Sequence, residues 1–272
     1  MKNILVLMDF SNASYLALRY AITLAKSIDC GIQLFHVADP NDIVQSDNQA
    51  AAIREINSRK EIIESRLSAI VEIIEAEKID STYDYSIGSI TGELKVYIQA
   101  NSSELIIIGS HSNSKLGEIT QYLVNHYNGA LFLISKETEF AANSKTSVAC
   151  NLKTVIEADL TIAFDLAKVS KSPITIFNNG ASAEPHREIE NPSVWKSYYE
   201  PNRKVNFIYC KSDSTTDGII EHIDQEKPDV ICIGRGKKNN TLFNWIFPTS
   251  SIASQVIGRT TTTVLLLPNA KD

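Results

Sequence analysis

Two histidines and one aspartate have side chains that could bind a metal or transfer protons. Asp9 follows an apolar run near the N-terminus, His36 lies near the end of a second apolar run, and His111 follows a third. Imidazole nitrogens and carboxylates are common zinc ligands and also act as general acids and bases. The three residues therefore allow a zinc centre or an acid–base site, and purely structural roles for both histidines are the alternative.

Recognised catalytic motifs are missing from the sequence. It contains no GxSxG, HExxH or Walker loop, and its cysteines and histidines show no metal-binding spacing. We therefore predict a protein that is not an enzyme. A weak metal-dependent nucleotide hydrolase that uses Asp9, His36 and His111 is the alternative from a different class.

Composition and length limit the remaining choices. The chain has 272 residues, of which 43% are hydrophobic, so two domains are expected. No apolar run approaches the roughly 18 residues of a membrane span, and the N-terminal run is too short for a signal peptide. We expect a cytoplasmic protein with no membrane contact. The first 138 residues carry a net charge of −6 and the rest is neutral, which argues against a nucleic-acid partner.

The four cysteines indicate a reducing compartment. They form no CxxC pair, and three of them lie in apolar runs that resemble strands. Reduced, buried thiols are therefore expected in preference to disulfides or a zinc site. The residues are Cys30, Cys150, Cys210 and Cys232.

An internal repeat organises the chain. The segment from Asp9 to Lys26 aligns without gaps on the segment from Asn151 to Lys168, and the same offset continues into the next apolar run. Further on, SSELIIIGS aligns with KPDVICIGR at a smaller offset and places Gly109 over Gly234. The sequence therefore predicts two copies of one domain, the second shortened by about one helix.

Each copy alternates apolar runs with helical periodicity. A continuous apolar run is typical of a parallel strand that is buried on both faces, and helical crossovers between such strands predict a doubly wound α/β sheet. The predicted helix that follows the second strand carries its apolar residues on one face. The strands of the first copy are expected at Ile4 to Met8, Ile32 to Val37, Tyr83 to Ile87, Leu105 to Ile108 and Leu131 to Ile134.

The second copy follows the same order up to its irregular parts. Its proline-rich stretch from Ser182 to Arg203 is expected to be loop-rich, and Lys136 to Lys145 reads as a linker. We predict domains at 1–138 and 139–272, each with a five-stranded sheet of order 3-2-1-4-5. The second set of strands is expected at Ser147 to Cys150, Ile174 to Phe177, Val205 to Tyr209, Val230 to Ile233 and Val264 to Leu267.

Three stretches resemble the universal stress protein family. ILVLMDFSNASYLALRYAITLAK is similar to the family's first strand and helix, IIIGSHS to its fourth strand and phosphate loop, and LGEITQYLVNHYNGALFLI to its last helix and strand. The resemblance covers essentially the whole chain. It implies flavodoxin-like or Rossmann-like domains and a stress-response binding or regulatory role.

The resemblance also implies a nucleotide site in the first copy. Nucleotide-binding members carry G-x-x-G, nine residues and then G-[ST], a loop whose backbone N–H groups approach phosphate oxygens. The implied ligand is an adenine nucleotide, ATP or AMP with Mg²⁺, at Asp9, Val37, Gly109 and Gly117. The second glycine is replaced by serine, the loop is shorter, and Glu118 stands where a hydroxyl residue is expected. A carboxylate there repels phosphate, although it also stabilises the start of a helix.

The second copy departs from the same pattern in other ways. Gly234, Ser250 and Ser251 match the motif, whereas Lys237 replaces its second glycine and twelve residues, not nine, separate the two parts. Gly236 lies in a basic loop that could meet phosphate oxygens or could be an ordinary solvated loop.

These departures lead to one functional hypothesis and one assembly. We expect a stress-response binding or regulatory protein with degraded nucleotide sites, and an adenine-nucleotide sensor is the alternative. The resemblance implies that the two domains pair as an intramolecular pseudo-dimer through their last strands, Leu131 to Ile134 and Val264 to Leu267. Protein partners are expected but not identified, and pairing of pseudo-dimers into a homodimer stays open.

Overall fold

The computed structural model divides into two compact units, Met1–Gly109 and Ser110–Asp272. The division by contacts falls earlier than the predicted domain boundary at 138/139, because the strand Ala130–Ile134 pairs with the strand Thr263–Leu267 of the second unit. The boundary at 138/139 stays a prediction. The residues described are 3–43, 48–101, 103–109, 117–135, 144–149, 159–170, 172–179, 205–210, 212, 214–234 and 252–268.

The first unit is a parallel sheet with helical crossovers. Its strands lie in the order β3-β2-β1-β4, and every pair is parallel. A short 3-10 helix, Pro40–Asp42, follows β2. The elements are β1 (Asn3–Leu7), α1 (Asn12–Ile28), β2 (Gly31–Ala38), α2 (Gln49–Ala76), β3 (Ser81–Ile87), α3 (Ile90–Ala100) and β4 (Leu105–Gly109).

Local sequence explains the start of α1 and the packing of α2. Ser11 caps α1, because its side chain accepts a hydrogen bond from the backbone N–H of Ser14 at 3.2 Å. The predicted apolar stripe of α2 runs from Ile56 to Ile74. Ile56 is only half-buried, and the buried residues are Ile63, Leu67, Ile70 and Ile74. One face of a long, otherwise charged helix therefore covers the sheet.

The second unit contains the remaining elements. Its strands lie in the order β5-β10-β9-β6-β7-β8. The five strands of the second copy, read as β8-β7-β6-β9-β10, are all parallel and have the predicted order 3-2-1-4-5. The elements are α4 (Glu118–His126), β5 (Ala130–Ile134), β6 (Thr146–Ala149), α5 (Thr161–Val169), β7 (Ile174–Asn179), β8 (Val205–Cys210), α6 (Thr215–Glu226), β9 (Val230–Gly234), α7 (Ile252–Ile257) and β10 (Thr263–Leu267).

The last strands of the two sequence copies pair with each other. β5 and β10 run antiparallel, with Leu131 opposite Leu266 and Leu133 opposite Val264. All five residues of each strand are buried. The predicted pairing of these two strands is confirmed.

The repeat is visible in matching side-chain roles. Phe35 of β2 stacks on Tyr97 of α3 with ring centroids 3.7 Å apart, and Phe177 of β7 stacks on His222 of α6 at 4.1 Å. The alignment of the two copies pairs these phenylalanines with each other and places His222 over Tyr97. One aromatic stack between the second strand and the helix that follows the third strand is therefore present twice.

Several sequence predictions fall partly outside the described residues. The loop-rich stretch from Ser182 to Arg203 lies outside them entirely, as does Cys150, and of the linker only its last two residues are described. Of the other cysteines, Cys232 is buried, Cys30 and Cys210 are half-buried, and all three are reduced thiols. Burial raises the pKa of the Cys232 thiol. Within the described ranges, no helix combines the length and apolarity needed to cross a membrane.

Candidate functional site

The carboxyl ends of three adjacent strands bring predicted site residues to one edge of the first unit. In the β1/β2 register Leu7 lies opposite Phe35, so Asp9 and Val37 each follow two residues further on. In the β1/β4 register Val6 lies opposite Ile107, and Gly109 ends β4. Asp9, Val37 and Gly109 therefore lie at the edge where open α/β sheets bind ligands.

Gly109 is required by packing. A Cβ added there would lie 2.2 Å from the carbonyl oxygen of Ala13 and 2.3 Å from its carbonyl carbon. The first turn of α1 thus rests directly on the backbone of β4, and only glycine permits that approach. The glycine has a structural reason to be present whether or not a phosphate binds near it.

Asp9 shapes the turn that leads into α1. Its Oδ1 accepts a hydrogen bond from the backbone N–H of Ser11 at 2.9 Å, and its side chain is exposed. Phe10, between them, has φ of 61°, a left-handed conformation that side-chain-bearing residues seldom adopt. The turn directs the Phe10 ring onto the neighbouring strand.

His36 lies beneath that ring. The His36 and Phe10 ring centroids are 4.6 Å apart, and His36 is 5% exposed. Its Nδ1 lies 2.7 Å from the carbonyl oxygen of Met8, so Nδ1 carries the proton and donates it. Nε2 is buried and has no hydrogen-bond partner among the described residues.

Burial sets the ionisation of His36. It lowers the pKa of the imidazole, and the nearby Arg59 and Arg66 lower it further, whereas the bond to Met8 and the charge of Asp9 oppose the shift. The ring is therefore neutral at pH 7. A neutral, covered imidazole with Nδ1 engaged is a structural histidine in this geometry.

Two arginines of α2 lie near Phe10 and His36. The Arg66 guanidinium carbon lies 5.3 Å from the centroid of the Phe10 ring, a cation–π contact, and the Arg59 Nε is buried with no partner among the described residues. Sequence reasoning missed both residues. Their spacing of seven places them on one helix face, which was the available signal.

The predicted acid–base or metal group is only partly described. Successive residues of a strand face opposite sides of the sheet, so His36 faces away from Val37 and from Phe35, which packs on α3. His111 lies outside the described residues. Among the residues that are described, no group of three His, Cys, Asp or Glu side chains could hold a metal ion.

The second unit holds the remaining predicted positions. Gly117 caps α4, and the exposed Glu118 is the first residue of that helix. Gly234 ends β9, one residue beyond the predicted strand, as Gly109 ends β4. The other predicted positions of the second copy, Gly236, Ser250 and Ser251, lie outside the described residues together with the basic loop.

The fold and this edge define a doubly wound α/β protein with a mostly parallel sheet. Residues 1–133 match the model of the universal stress protein family. The match covers just under half of the chain and ends within β5.

Solved structures share the fold over nearly the entire chain. A universal stress protein from Archaeoglobus fulgidus DSM 4304 superposes with a TM-score of 0.70 at 15% identity, covering 98% of both chains. A protein of unknown function from Pseudomonas aeruginosa PAO1 superposes with a TM-score of 0.64 at 15% identity, covering 99% of this chain and 93% of its own. At such identities the likeness concerns the fold. No curated protein matches the chain in sequence.

Proposed function

We propose that this chain is a tandem universal stress protein, a stress-response binding or regulatory protein and not an enzyme. Three observations support the proposal: the family match of residues 1–133, the repeated aromatic stack, and a fold shared over nearly the full length of a universal stress protein. Under this proposal the two copies are domains 1–138 and 139–272. The cytoplasmic location, the protein partners and the pseudo-dimer belong to the same proposal.

The proposal includes a degraded nucleotide site, and the position of Glu118 carries that part. Phosphate sites of this kind use the N-terminus of a helix, where backbone N–H groups and the helix dipole attract negative charge. Here Gly117 caps α4 and an exposed carboxylate follows it directly. A helix start that already carries a negative charge favours helix stability over phosphate binding.

An adenine-nucleotide sensor is the second candidate, and the first-unit edge favours it. Asp9, Val37 and Gly109 lie at the carboxyl ends of adjacent parallel strands, where such ligands bind. ATP or AMP, with Mg²⁺ for ATP, would be the ligand. The hydrolase alternative gains no support from His36, which is covered by Phe10 and bonded to a backbone carbonyl.

Calorimetric titration of nucleotide-stripped protein with Mg-ATP and with AMP tests the two candidates. The degraded site predicts no binding tighter than about 100 µM, or about −5.5 kcal/mol. Glu118→Ser, which replaces the carboxylate by a hydroxyl, is expected to improve affinity by about tenfold or more, since a like charge is removed. A Gly109 variant is unsuitable as a blocked control because any Cβ there meets Ala13.

Asp9→Asn provides the control at the edge. The amide oxygen can still accept the hydrogen bond from Ser11, so the turn is retained while the charge is lost. Wild-type binding tighter than about 100 µM that Asp9→Asn weakens would overturn the degraded site and establish the sensor.

A further inference from the structure

The second unit contains a cavity at the edge of its sheet opposite to the one that Gly234 occupies. It lies between α6 and the segment Arg259–Thr262, which leads from α7 into the amino end of β10, and its volume is about 280 Å³. That volume is close to the lower end of small-molecule sites, roughly 300–1,000 Å³. The lining residues are Ile220, Ile223, Asp224, Lys227, Arg259, Thr260, Thr261 and Thr262.

One face of α6 supplies an apolar wall and a cation. Residues 220, 223, 224 and 227 are spaced three, four and seven apart, so they share a helix face. Ile220 is half-buried and Ile223 is buried. Lys227 ends the helix in a left-handed conformation with φ of 47°, and its backbone N–H donates to the Ile223 carbonyl. The backbone that carries this ammonium group is therefore fixed.

The opposite wall is polar and held in place. The Arg259 Nη1 donates to the Asp217 Oδ1 at 2.6 Å, which orients the guanidinium and leaves further N–H donors. The Thr262 backbone N–H donates to the Thr260 Oγ at 3.0 Å, and the Ser135 hydroxyl donates to the Thr261 carbonyl at 2.8 Å. These bonds hold the guanidinium and the backbone of the threonine run in place, and the threonine hydroxyls are able to donate as well.

Comparison of the two copies indicates that the fold does not need this polar wall. Aligning β10 on β5 places the Thr260–Thr262 run over Tyr127, Asn128 and Gly129, and Arg259 over His126. Tyr127 is buried. The first copy therefore joins its last helix to its last strand with no threonine and no guanidinium. The threonines and the arginine of the second copy have no counterpart in the first copy, so the shared fold does not require them.

The hydrogen-bond donors of the lining favour a ligand with anionic oxygens. Lys227 and Arg259 line the cavity with one carboxylate, Asp224, and the Arg259 guanidinium, whose charge Asp217 balances, still offers N–H donors. One carboxylate is too few for a dedicated divalent-cation site, which takes several oxygen ligands. The apolar wall and the volume exceed what a bare inorganic anion would fill.

We propose that this cavity binds a small organic anion. An apolar ring or chain of the ligand lies against Ile220 and Ile223, and its phosphate or carboxylate oxygens accept hydrogen bonds from Lys227, Arg259 and the threonine hydroxyls. The site lies at the amino end of β10, away from the carboxyl end of β9 where Gly234 lies. It goes beyond the proposed function.

Amide NMR titration of the full chain with phenyl phosphate, a probe with one ring and one anionic group, tests the site. Saturable shifts are expected at Thr260–Thr262 and at Lys227. Lys227→Gln should weaken binding by about tenfold, since a charge-assisted contact is lost. Asp224→Asn should tighten binding severalfold because it removes the opposing charge. Glu221→Gln, an equal charge change on α6 outside the lining, should have little effect.

Three results of these titrations would count against the proposed site. A ligand as small as phenyl phosphate is expected to bind with millimolar affinity. Absence of saturable shifts up to about 10 mM phenyl phosphate would therefore overturn the proposal. Equal effects of Asp224→Asn and Glu221→Gln would also overturn it, because they would indicate a general charge effect. Inorganic phosphate that binds as tightly as phenyl phosphate would exclude the apolar contact. Asp224→Asn keeps the test decisive if Lys227→Gln fails to fold.

Discussion

At the scale of single residues, the predicted phosphate-loop glycines have unlike surroundings. Gly109 packs against the backbone of Ala13, whereas a Cβ on Gly117 would meet nothing within 4 Å. A glycine that matches a nucleotide motif can thus be explained by helix packing alone. The distinction matters for mutagenesis, because loss of binding in a Gly109 variant would not identify a ligand contact.

Gly109→Ala is expected to destabilise the protein by about 1–3 kcal/mol or more, since the first turn of α1 must move away from β4. Gly117→Ala, the matched control, should change the free energy of unfolding by no more than about 0.5 kcal/mol, the small cost of replacing a capping glycine. Urea unfolding of both variants measures the difference. Equal destabilisation by the two substitutions would contradict the close contact between Ala13 and Gly109.

His222 gives the second unit an acid sensitivity. Burial lowers its pKa, opposed by Glu226, so the unfolded chain takes up a proton near pH 6.5 that the folded chain resists. Stability should therefore fall as the pH falls through about 6.5. His222→Phe keeps the stack on Phe177 and removes this loss. The free energy of unfolding of the variant, relative to wild type, should therefore rise as the pH is lowered from 7.5 to 5.5.

Tyr97→Phe is the matched control for that experiment. Tyr97 occupies the equivalent position in the first copy, and burial raises its pKa to about 12, far above the range tested. Its substitution should shift the urea midpoint equally at pH 7.5 and 5.5. A His222→Phe effect that is likewise constant with pH would contradict the assignment.

At the scale of elements, the helices that follow the third strand of each copy start differently. Ser89 and Ser214 are the caps of α3 and α6, but the Ser214 side chain accepts from the Asp217 backbone N–H at 3.3 Å while Ser89 makes no such bond. Sequence alignment pairs the two serines and so predicts equal roles. The structure makes them unequal.

Ser214→Ala is expected to cost about 0.5–2 kcal/mol of stability, the usual range for a bonded helix cap. Ser89→Ala should cost clearly less, because no side-chain bond is lost. Thermal unfolding of the two variants against wild type provides the comparison. A larger loss for Ser89→Ala than for Ser214→Ala would contradict the hydrogen-bond assignment.

Elements were more predictable from the sequence than sites. Strands such as Leu105–Gly109 are apolar on both faces, so a short run of sequence determines them. The cluster of Phe10, His36 and Arg66 depends on a turn and on a helix distant in sequence, and no local pattern encodes it. The cavity between α6 and the Arg259–Thr262 segment depends on packing in the same way.

At the scale of the whole molecule, the repeat explains why the last strands pair. β5 and β10 occupy equivalent places in the two copies, and each is five buried residues long. Their antiparallel register removes an apolar edge from each. Fusion of two copies in one chain keeps both strands at high effective concentration.

Separating the chain at the predicted boundary tests this arrangement. In a fragment of residues 1–138, β5 has lost β10, so a buried apolar strand becomes an open edge that recruits another strand. The fragment should therefore form a dimer, and mixing it with residues 139–272 should give a 1:1 complex. Light scattering after gel filtration, over a range of concentrations, measures both. A folded 1–138 fragment that stays monomeric and does not bind the 139–272 fragment would show that the β5–β10 pairing contributes little to assembly. The proposed pseudo-dimer would then be wrong.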